Sequence, residues 1–448
     1  MKKIEGEMLF TKNQIIKLMI PLIIEQTLTV TVGIADSMMV SVAGEAAVAG
    51  VALVDSINML ILQVLAALAT GGAVVCSQYM GKRRKELACQ AANQLILTTV
   101  IFSIAISAIM LAGGRNLLRL IFGETEAIVM DNAVTYCMII VFTYPFMGIY
   151  NSAAALFRSM GNSKVSMRVS LLMNIINVVG NAILIFGFDM GVAGAALATL
   201  ASRIVGAAIL LYSSYDAKQD IHVSQLLKTR PQREMIKKIL FIGVPTGFEN
   251  GIFQLGKLCV LSLVSSFGTA SIMANSVGYT LCTFMIIPGV AIGLALVTVA
   301  GQCIGANQPE QARYYTNRLA FTATVMMAVL SLGIVLASPF LLGLYNMSPE
   351  AYEIARILLI GHLIAGLIWP LSFNLPNALR AAGDVKFTMI TSMISMWVFR
   401  VMASYILGGY FGLGVYGVWI AMFLDWIART IVFVIRYHGD RWYQRKLV

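Results

Sequence analysis

The chain has 448 residues, of which 59% are hydrophobic and only 12% are charged, and its formal net charge is +11. A soluble globular domain has a more even balance of apolar and polar residues, and the mean hydropathy of +0.82 lies well above that balance. The composition therefore argues against a soluble protein and predicts one that is embedded in a lipid bilayer.

Apolar runs long enough to cross a bilayer as a helix, about 20 residues each, recur twelve times along the chain. In order they cover residues 14–40, 47–77, 88–113, 127–150, 165–187, 191–214, 238–264, 272–302, 314–340, 352–376, 386–409 and 414–437. We therefore predict an all-α membrane protein with twelve transmembrane helices. An even number of spans places both termini on the same side of the membrane.

Most of the lysine and arginine residues fall in the connectors of one side. They cluster before the first span, in "GKRRKE" at 81–86, in the polar stretch 215–238 and in the tail "RYHGDRWYQRKLV". The positive-inside rule makes this side cytoplasmic, so both termini are predicted to be cytoplasmic in a plasma membrane, the inner membrane if the source is bacterial. A basic chain can also attract nucleic acid, but topology explains the same residues and we expect no nucleic-acid partner.

The second half of the chain repeats the first. A shift of 224 residues without a gap superimposes matched polar and special residues: Pro21 on Pro245, Glu25 on Glu249, Gly44 on Gly268, Gln78 on Gln302, Gly81 on Gly305 and Asn93 on Asn317. Further on, "FRSMGNSK" at 157–164 matches "LRAAGDVK" at 379–386. We predict two six-helix bundles of the same orientation, residues 1–214 and 238–448, which a cytoplasmic linker at 215–237 connects.

Parallel repeats in a polytopic protein are typical of transporters, because two similar bundles can expose a central site to each side of the membrane in turn. A duplicated scaffold without transport is the alternative.

The first span carries two acids that a lipid-facing helix would avoid. Glu25, Thr29 and Asp36 lie within about 40° of one another around a helix, so both carboxylates can face the interior of a bundle. An intramembrane acid indicates function by default because its exposure to lipid costs several kcal/mol, about 2.5 or more. We predict that Asp36 couples transport to an ion and that Glu25 and Thr29 line a substrate cavity.

The fifth span supplies candidate partners for Asp36. "LLMNIINVVGNAILIF" places Asn174, Asn177 and Asn181 on one face, and Asn151 of the fourth span can join them. Amide oxygens and one carboxylate can hold Na⁺, and the same amides can hydrogen-bond an acid that takes and releases a proton. Ordinary interhelical hydrogen bonding is the structural alternative.

The second half does not repeat this polar cluster. Glu249 is the counterpart of Glu25 and is predicted to attract a cationic substrate or to pair with a base, and Lys257 and Arg400 are intramembrane bases near the same cavity. The counterparts of Asp36, Asn177 and Asn181 are Val260, Phe399 and Ala403. Further intramembrane charges occur at Asp55, Asp425 and Arg429. For these charges and for Lys257 and Arg400, structural pairing is the first alternative, and snorkelling near helix ends and lining of a pore are the others.

The order and duplication of these motifs resemble the multidrug and toxic compound extrusion (MATE) family. The features are a proline and then an acid fifteen residues later (Pro21, Asp36), "Q-x-x-G" closing the second span of each half, and "R-x-x-G-[ND]-x-K" after the fourth and tenth. The acid in the first helix and the asparagines of the fifth resemble the DinF-like branch. The resemblance implies a cation site at Asp36, Asn177 and Asn181, with Asn181 standing where an acid is expected.

We therefore expect a monomeric antiporter that exports amphipathic, cationic organic compounds in exchange for H⁺ or Na⁺, without a cofactor. H⁺ is favoured, because desolvation in a bundle favours a neutral carboxyl group.

No phosphate-binding loop of the G-x-x-x-x-G-K-[ST] type occurs, so ATP is not expected to drive export. A flippase for a lipid-linked precursor and a membrane-embedded enzyme are the alternatives, and the enzyme lacks a convergent catalytic group.

Overall fold

The computed structural model describes residues 7–123, 125–224, 226–444 and 447–448, and the regular elements of that part of the chain are all helical. The first half contains α1 (Lys12–Ser41), α2 (Glu45–Gly81), α3 (Lys85–Phe122), α4 (Ala127–Ile140), α5 (Thr143–Ser159), α6 (Ser163–Asn181) and α7 (Gly191–Ser214). The second half contains α8 (Arg233–Ser265), α9 (Thr269–Gly305), α10 (Pro309–Gly343), α11 (Pro349–Ala365), α12 (Trp369–Phe373), α13 (Leu375–Ala381), α14 (Val385–Ser395) and α15 (Gly414–His438).

Wider helical turns extend two of these helices. α6 continues as a π-helix over Ala182–Gly187, and α14 is followed by π-helical segments at Met396–Met402 and Tyr405–Tyr410. π-helical turns are rare and occur mostly at functional sites. Here they occupy repeat-related spans, and the first of them begins directly after Asn181.

Twelve membrane spans account for these helices. Within the described residues, nine helices are long and apolar enough to cross a membrane, and two bent pairs each form one more span. The remaining span is α8, which is 33 residues long but carries Glu249 and Lys257 among its apolar residues. The predicted all-α, twelve-helix architecture is confirmed.

The fourth span of each half is bent, which the sequence did not predict. α4 and α5 meet at 49°, and α11 meets α12–α13 at 68°. Pro145 and Pro370 lie in the first turn after each break. A proline has no N–H group and is tolerated where the first N–H groups of a helix have no partner.

Special backbone geometry repeats between the halves. Gly44 (φ 101°) and Gly268 (φ 91°) precede α2 and α9, and Arg83 (φ 58°) and Asn307 (φ 57°) precede α3 and α10. Each pair is separated by the 224-residue shift found in the sequence. The repeat therefore extends to the conformation of the interhelical turns.

The chain divides into two compact units: residues 12–247 with Val448, and residues 248–447 with the described residues 7–11. The division falls inside α8, and the linker belongs to the first unit. In the second unit, the backbone N–H groups of Leu9 and Phe10 donate to Gln311 Oε1 (2.9 Å) and to the hydroxyl of Tyr315 (3.0 Å). The predicted domain boundaries at 214/215 and 237/238 stay a prediction.

Candidate functional site

α1 and α6 run side by side in the same direction, and this packing brings the polar residues of both helices together. Near their first turns, Ser163 Oγ donates to the carbonyl oxygen of Leu18 (2.6 Å). Near their far ends, Asn181 Nδ2 donates to Asp36 Oδ1 (2.7 Å). The acid of the first span and an asparagine of the fifth therefore meet, as the sequence predicted.

Asn177 is the second amide at this carboxylate. With its nitrogen towards Asp36, it donates to Oδ1 (2.6 Å) and Oδ2 (3.1 Å), and its oxygen accepts from Thr199 Oγ1 (3.1 Å). This orientation of the amide is the one that satisfies both of its polar atoms. Asp36 is thus held by N–H donors of two buried asparagines.

α7 contributes a base that the sequence reasoning missed. The Arg203 guanidinium interacts electrostatically with the carboxylate of Asp36. The sequence did indicate this base, because Arg203 is the single arginine of the apolar span 191–214 and an intramembrane base is as costly as an intramembrane acid. The carboxylate therefore faces a positive charge in addition to the two amides.

A second polar network surrounds Asp55 of α2. Asn58 Nδ2 and the Tyr136 hydroxyl donate to Asp55 Oδ1 at 3.0 and 3.2 Å. The Tyr144 hydroxyl donates in turn to Asn58 Oδ1. Asp55 and Asp36 interact electrostatically, so the first unit holds two acids and one base in neighbouring networks.

Three other predicted site residues lie outside the Asp36 cluster. Among the described residues, neither Asn151 nor Asn174 hydrogen-bonds to Asp36, and Asn174 Nδ2 is buried without a partner. Thr29 is exposed and donates to the backbone carbonyl of Glu25 (2.9 Å).

Glu25 and Glu249 occupy equivalent positions, and each faces an arginine. Glu25 Oε1 lies 3.9 Å from a guanidinium nitrogen of Arg158, and its Oε2 accepts from Ser166 (2.9 Å). Glu249 Oε1 accepts from Arg380 (2.7 Å). Both glutamates are buried. Arg158 and Arg380 come from the repeated "R-x-x-G-[ND]-x-K" motif, so the ion pair was duplicated with the fold.

In the second unit, bases outnumber acids. Asp425 Oδ1 accepts hydrogen bonds from Arg429 Nε (2.8 Å) and Ser395 Oγ (2.6 Å). The other oxygen, Asp425 Oδ2, lies 3.8 Å from a guanidinium nitrogen of Arg400. Lys257 Nζ lies 5.2 Å from the centre of the Phe253 ring. The predicted bases Lys257 and Arg400 therefore share one aromatic-walled cluster.

No group of three or more His, Cys, Asp or Glu side chains that could hold a metal ion occurs in the described part of the chain. A Na⁺ ion at Asp36 would need oxygen ligands from Asn177 and Asn181. Both amides instead turn a nitrogen towards the carboxylate.

The comparisons with known proteins agree with this architecture. The sequence model of the MatE family matches twice, over residues 21–183 and 245–406, which reproduces the internal repeat. An uncharacterized transporter of Bacillus subtilis, YisQ, is 29% identical over 433 residues, which are 95% of this chain and 94% of the relative. A probable multidrug resistance protein NorM of Thermotoga maritima is 25% identical over 98% of this chain and 94% of its own length.

A solved structure has the same fold. It is an outward-facing multidrug resistance MATE family transporter of the MOP superfamily, with a TM-score of 0.89 and 22% identity over 95% of this chain and 94% of the other. Because the family match covers most of the chain, the expected resemblance is confirmed at the level of the family, and the DinF-like branch stays a prediction. The chain belongs to the MATE family: it is a transporter and not an enzyme, and it is an integral protein of the bacterial plasma membrane.

Proposed function

We propose that the protein is a secondary active antiporter that exports amphipathic organic compounds in exchange for H⁺, with Asp36 as the coupling group. The observation that carries the proposal is the Asp36 carboxylate, which accepts from the amides of Asn177 and Asn181 beside the guanidinium of Arg203. N–H donors and a base compensate part of the charge of this carboxylate without a metal ion, whereas burial favours its neutral form, so the group is suited to exchange a proton.

Protonation of Asp36 would change these contacts. A neutral carboxyl group loses the attraction of Arg203 and gains an O–H that needs an acceptor. Asn181 Oδ1 is buried and, among the described residues, has no hydrogen-bond partner. A rotation of the Asn181 amide would supply that acceptor. Because the π-helix Ala182–Gly187 begins at the next residue, the rearrangement falls where α6 departs from regular α-helical geometry.

Coupling requires that substrate and proton bind the two conformations with different affinities. We propose that a proton taken up from outside by Asp36 rearranges the first half and weakens its hold on substrate. Loss of that proton to the cytoplasm then returns the first half to the conformation that binds substrate. Access alternates as in other transporters built from repeats.

Na⁺ coupling is the alternative within the same site. It would require both asparagines to turn a carbonyl oxygen towards Asp36, and it would place a second cation close to Arg203. The positive charge of Arg203 near Asp36 therefore supports H⁺ over Na⁺.

The predicted preference for cationic compounds stays a prediction. It depended in part on Glu25 and Glu249 being available to a cation, and each of them faces an arginine. Of the intramembrane acids in the described part of the first half, Asp36 and Asp55 form no ion pair within 4.0 Å, although Arg203 interacts electrostatically with Asp36.

Sealed vesicles that contain the purified protein test the proposal. Efflux of amphipathic dyes, with rhodamine 6G and fluorescein as first probes, is measured under an imposed proton gradient without Na⁺, and separately under a Na⁺ gradient at constant pH. We expect the proton gradient alone to drive export. Export under the Na⁺ gradient only would make Asn177 and Asn181 ligands of Na⁺, and export under neither would exclude secondary antiport.

A further inference from the structure

Three bases of the second unit converge on one aromatic ring. Around Phe253 of α8, the Lys257 ammonium lies 5.2 Å from the ring centre, the Arg400 guanidinium 5.6 Å and the Arg429 guanidinium 5.1 Å. They come from α8, from the π-helical segment after α14 and from α15, so the cluster depends on the tertiary fold. Phe373 adds a second wall, 5.3 Å from Arg429.

The cluster carries more positive than negative charge. Asp425 is its acid, and that carboxylate already accepts from Arg429 and Ser395. The contact of a guanidinium nitrogen of Arg400 with Asp425 Oδ2 is longer, at 3.8 Å. Glu249 of α8, a buried acid of the same unit, is engaged by Arg380 at 2.7 Å. Three bases against one acid leave two positive charges without a counter-charge in the described structure.

Some N–H donors of these bases have no hydrogen-bond acceptor among the described residues. Arg400 is 5% exposed, yet its Nε has no hydrogen-bond partner among the described residues. Lys257 likewise has no ion-pair partner there and is held by the rings of Phe253 and Tyr279. Burial of a base whose charge is compensated only in part is costly, and cation–π contacts offset only part of that cost.

The cluster is open on one side. Arg400 and Arg429 lie at its closed end and are buried. Lys257 is half-buried, and Tyr279, whose hydroxyl interacts with both Lys257 and Arg400, is 38% exposed. A ligand can therefore approach past Tyr279 and reach the unused donors of Lys257 and Arg400.

We propose that this cluster, formed by Lys257, Arg400, Arg429, Phe253 and Tyr279, binds the anionic head of an amphipathic organic compound. A carboxylate or similar oxyanion accepts from Lys257 and Arg400, and the aromatic rings contact the apolar body. The inference deepens the proposed transport function by naming a substrate class, and it differs from the cationic class that the sequence predicted. A lipid headgroup and a free organic anion share this chemistry.

A binding measurement without any gradient tests the site separately from proton coupling. Fluorescein and rhodamine 6G share a xanthene body, but the first is anionic and the second cationic at neutral pH. Their fluorescence anisotropy is titrated with purified wild-type protein, with Lys257→Met and with Lys386→Met. The last is the matched control, because Lys386 is an exposed lysine of the same unit.

We expect Lys257→Met to weaken fluorescein binding about tenfold, which corresponds to about 1.4 kcal/mol. Its binding of rhodamine 6G should be unchanged or tighter, and Lys386→Met should match the wild type for both dyes. The methionine keeps the apolar part of the lysine side chain, so intact rhodamine binding also reports a folded variant. Equal fluorescein affinities in the two variants, or no fluorescein binding by the wild type, would contradict the proposal.

A competition arm identifies the source of the anion. Fluorescein is bound first, and detergent micelles that carry phosphatidylglycerol or phosphatidylcholine are then added. Displacement by phosphatidylglycerol alone assigns the site to an anionic lipid headgroup, and displacement by neither assigns it to a free organic anion. Equal displacement by both lipids would contradict recognition of charge.

Discussion

The two halves of the molecule share one backbone plan and differ in the charge of their polar interiors. In the first half, Asp36 and Asp55 are surrounded by amides, tyrosine hydroxyls and one arginine. In the second half, Lys257, Arg400 and Arg429 lie around the ring of Phe253, and a single acid, Asp425, pairs with the two arginines. The comparison teaches that duplication preserved the helices, the turns and the buried Glu–Arg pair, whereas the interior side chains diverged to opposite charge.

The largest effect is expected at the acid of the second half. Asp425→Asn leaves the two buried arginines that pair with it, Arg400 and Arg429, without a counter-charge, and breaking a buried ion pair from one side costs about 3–5 kcal/mol. The melting temperature in detergent should fall steeply, or folded protein should be lost. Asp440→Asn removes an exposed carboxylate that pairs with Arg313 and should change little, about 1 kcal/mol or less. Equal melting temperatures of the two variants would contradict the charge imbalance.

The duplicated Glu–Arg pair should differ in strength between the halves. Double-mutant cycles with Glu249→Gln and Arg380→Gln, and with Glu25→Gln and Arg158→Gln, measure each coupling energy. We expect about 2 kcal/mol for the direct 2.7 Å bond of Glu249 and about 1 kcal/mol for the 3.9 Å contact of Glu25. The reverse order would show that distance does not govern these pairs.

The smallest expected effect concerns the turns that the halves share. Gly44→Ala and Gly268→Ala place a side chain at positive φ, where no neighbouring atom lies within 4 Å of the added Cβ. Because ψ is 166° at Gly44 and 168° at Gly268, each alanine enters a region that is essentially restricted to glycine, and each should cost at least about 1 kcal/mol through backbone strain. The two costs should be similar.

Gly333→Ala in α10 is the control for these turns, because an added Cβ there also meets open space. In a helix interior alanine is favoured over glycine by about 0.5–1 kcal/mol, so this variant should be neutral or stabilised. A loss of stability at only one of the two turn glycines would break the equivalence of the turns.

Much of the fold could be predicted from the sequence, because span length, charge asymmetry and the 224-residue repeat each have a direct physical cause. The meeting of Asp36 with Asn177 and Asn181 was predicted from helical faces and from the family resemblance. The same face did not bring in Asn174, because a rise of 1.5 Å per residue puts it about 10 Å from Asn181 along the helix. Periodicity gives the direction of a side chain and not its depth in the membrane.

The missed contacts involve residues that reach from other helices. Arg203 approaches Asp36 from α7, and Arg158 reaches Glu25 from the end of α5. No local pattern in α1 encodes either contact. The repeat could have indicated the contact between Glu25 and Arg158, because both members of this pair recur in the second half as Glu249 and Arg380.

Replacement of the acid of the first half tests the central claim most directly. In sealed vesicles under a proton gradient, Asp36→Asn keeps the volume and much of the hydrogen bonding of the side chain but cannot exchange a proton. It is compared with Asp131→Asn, which neutralises an exposed acid of the same half that pairs with Arg115. Gradient-driven efflux should fall to the rate of vesicles without transporter in Asp36→Asn, at an unchanged melting temperature, and should persist in Asp131→Asn. Efflux at the wild-type rate in Asp36→Asn would remove this carboxylate from the coupling mechanism.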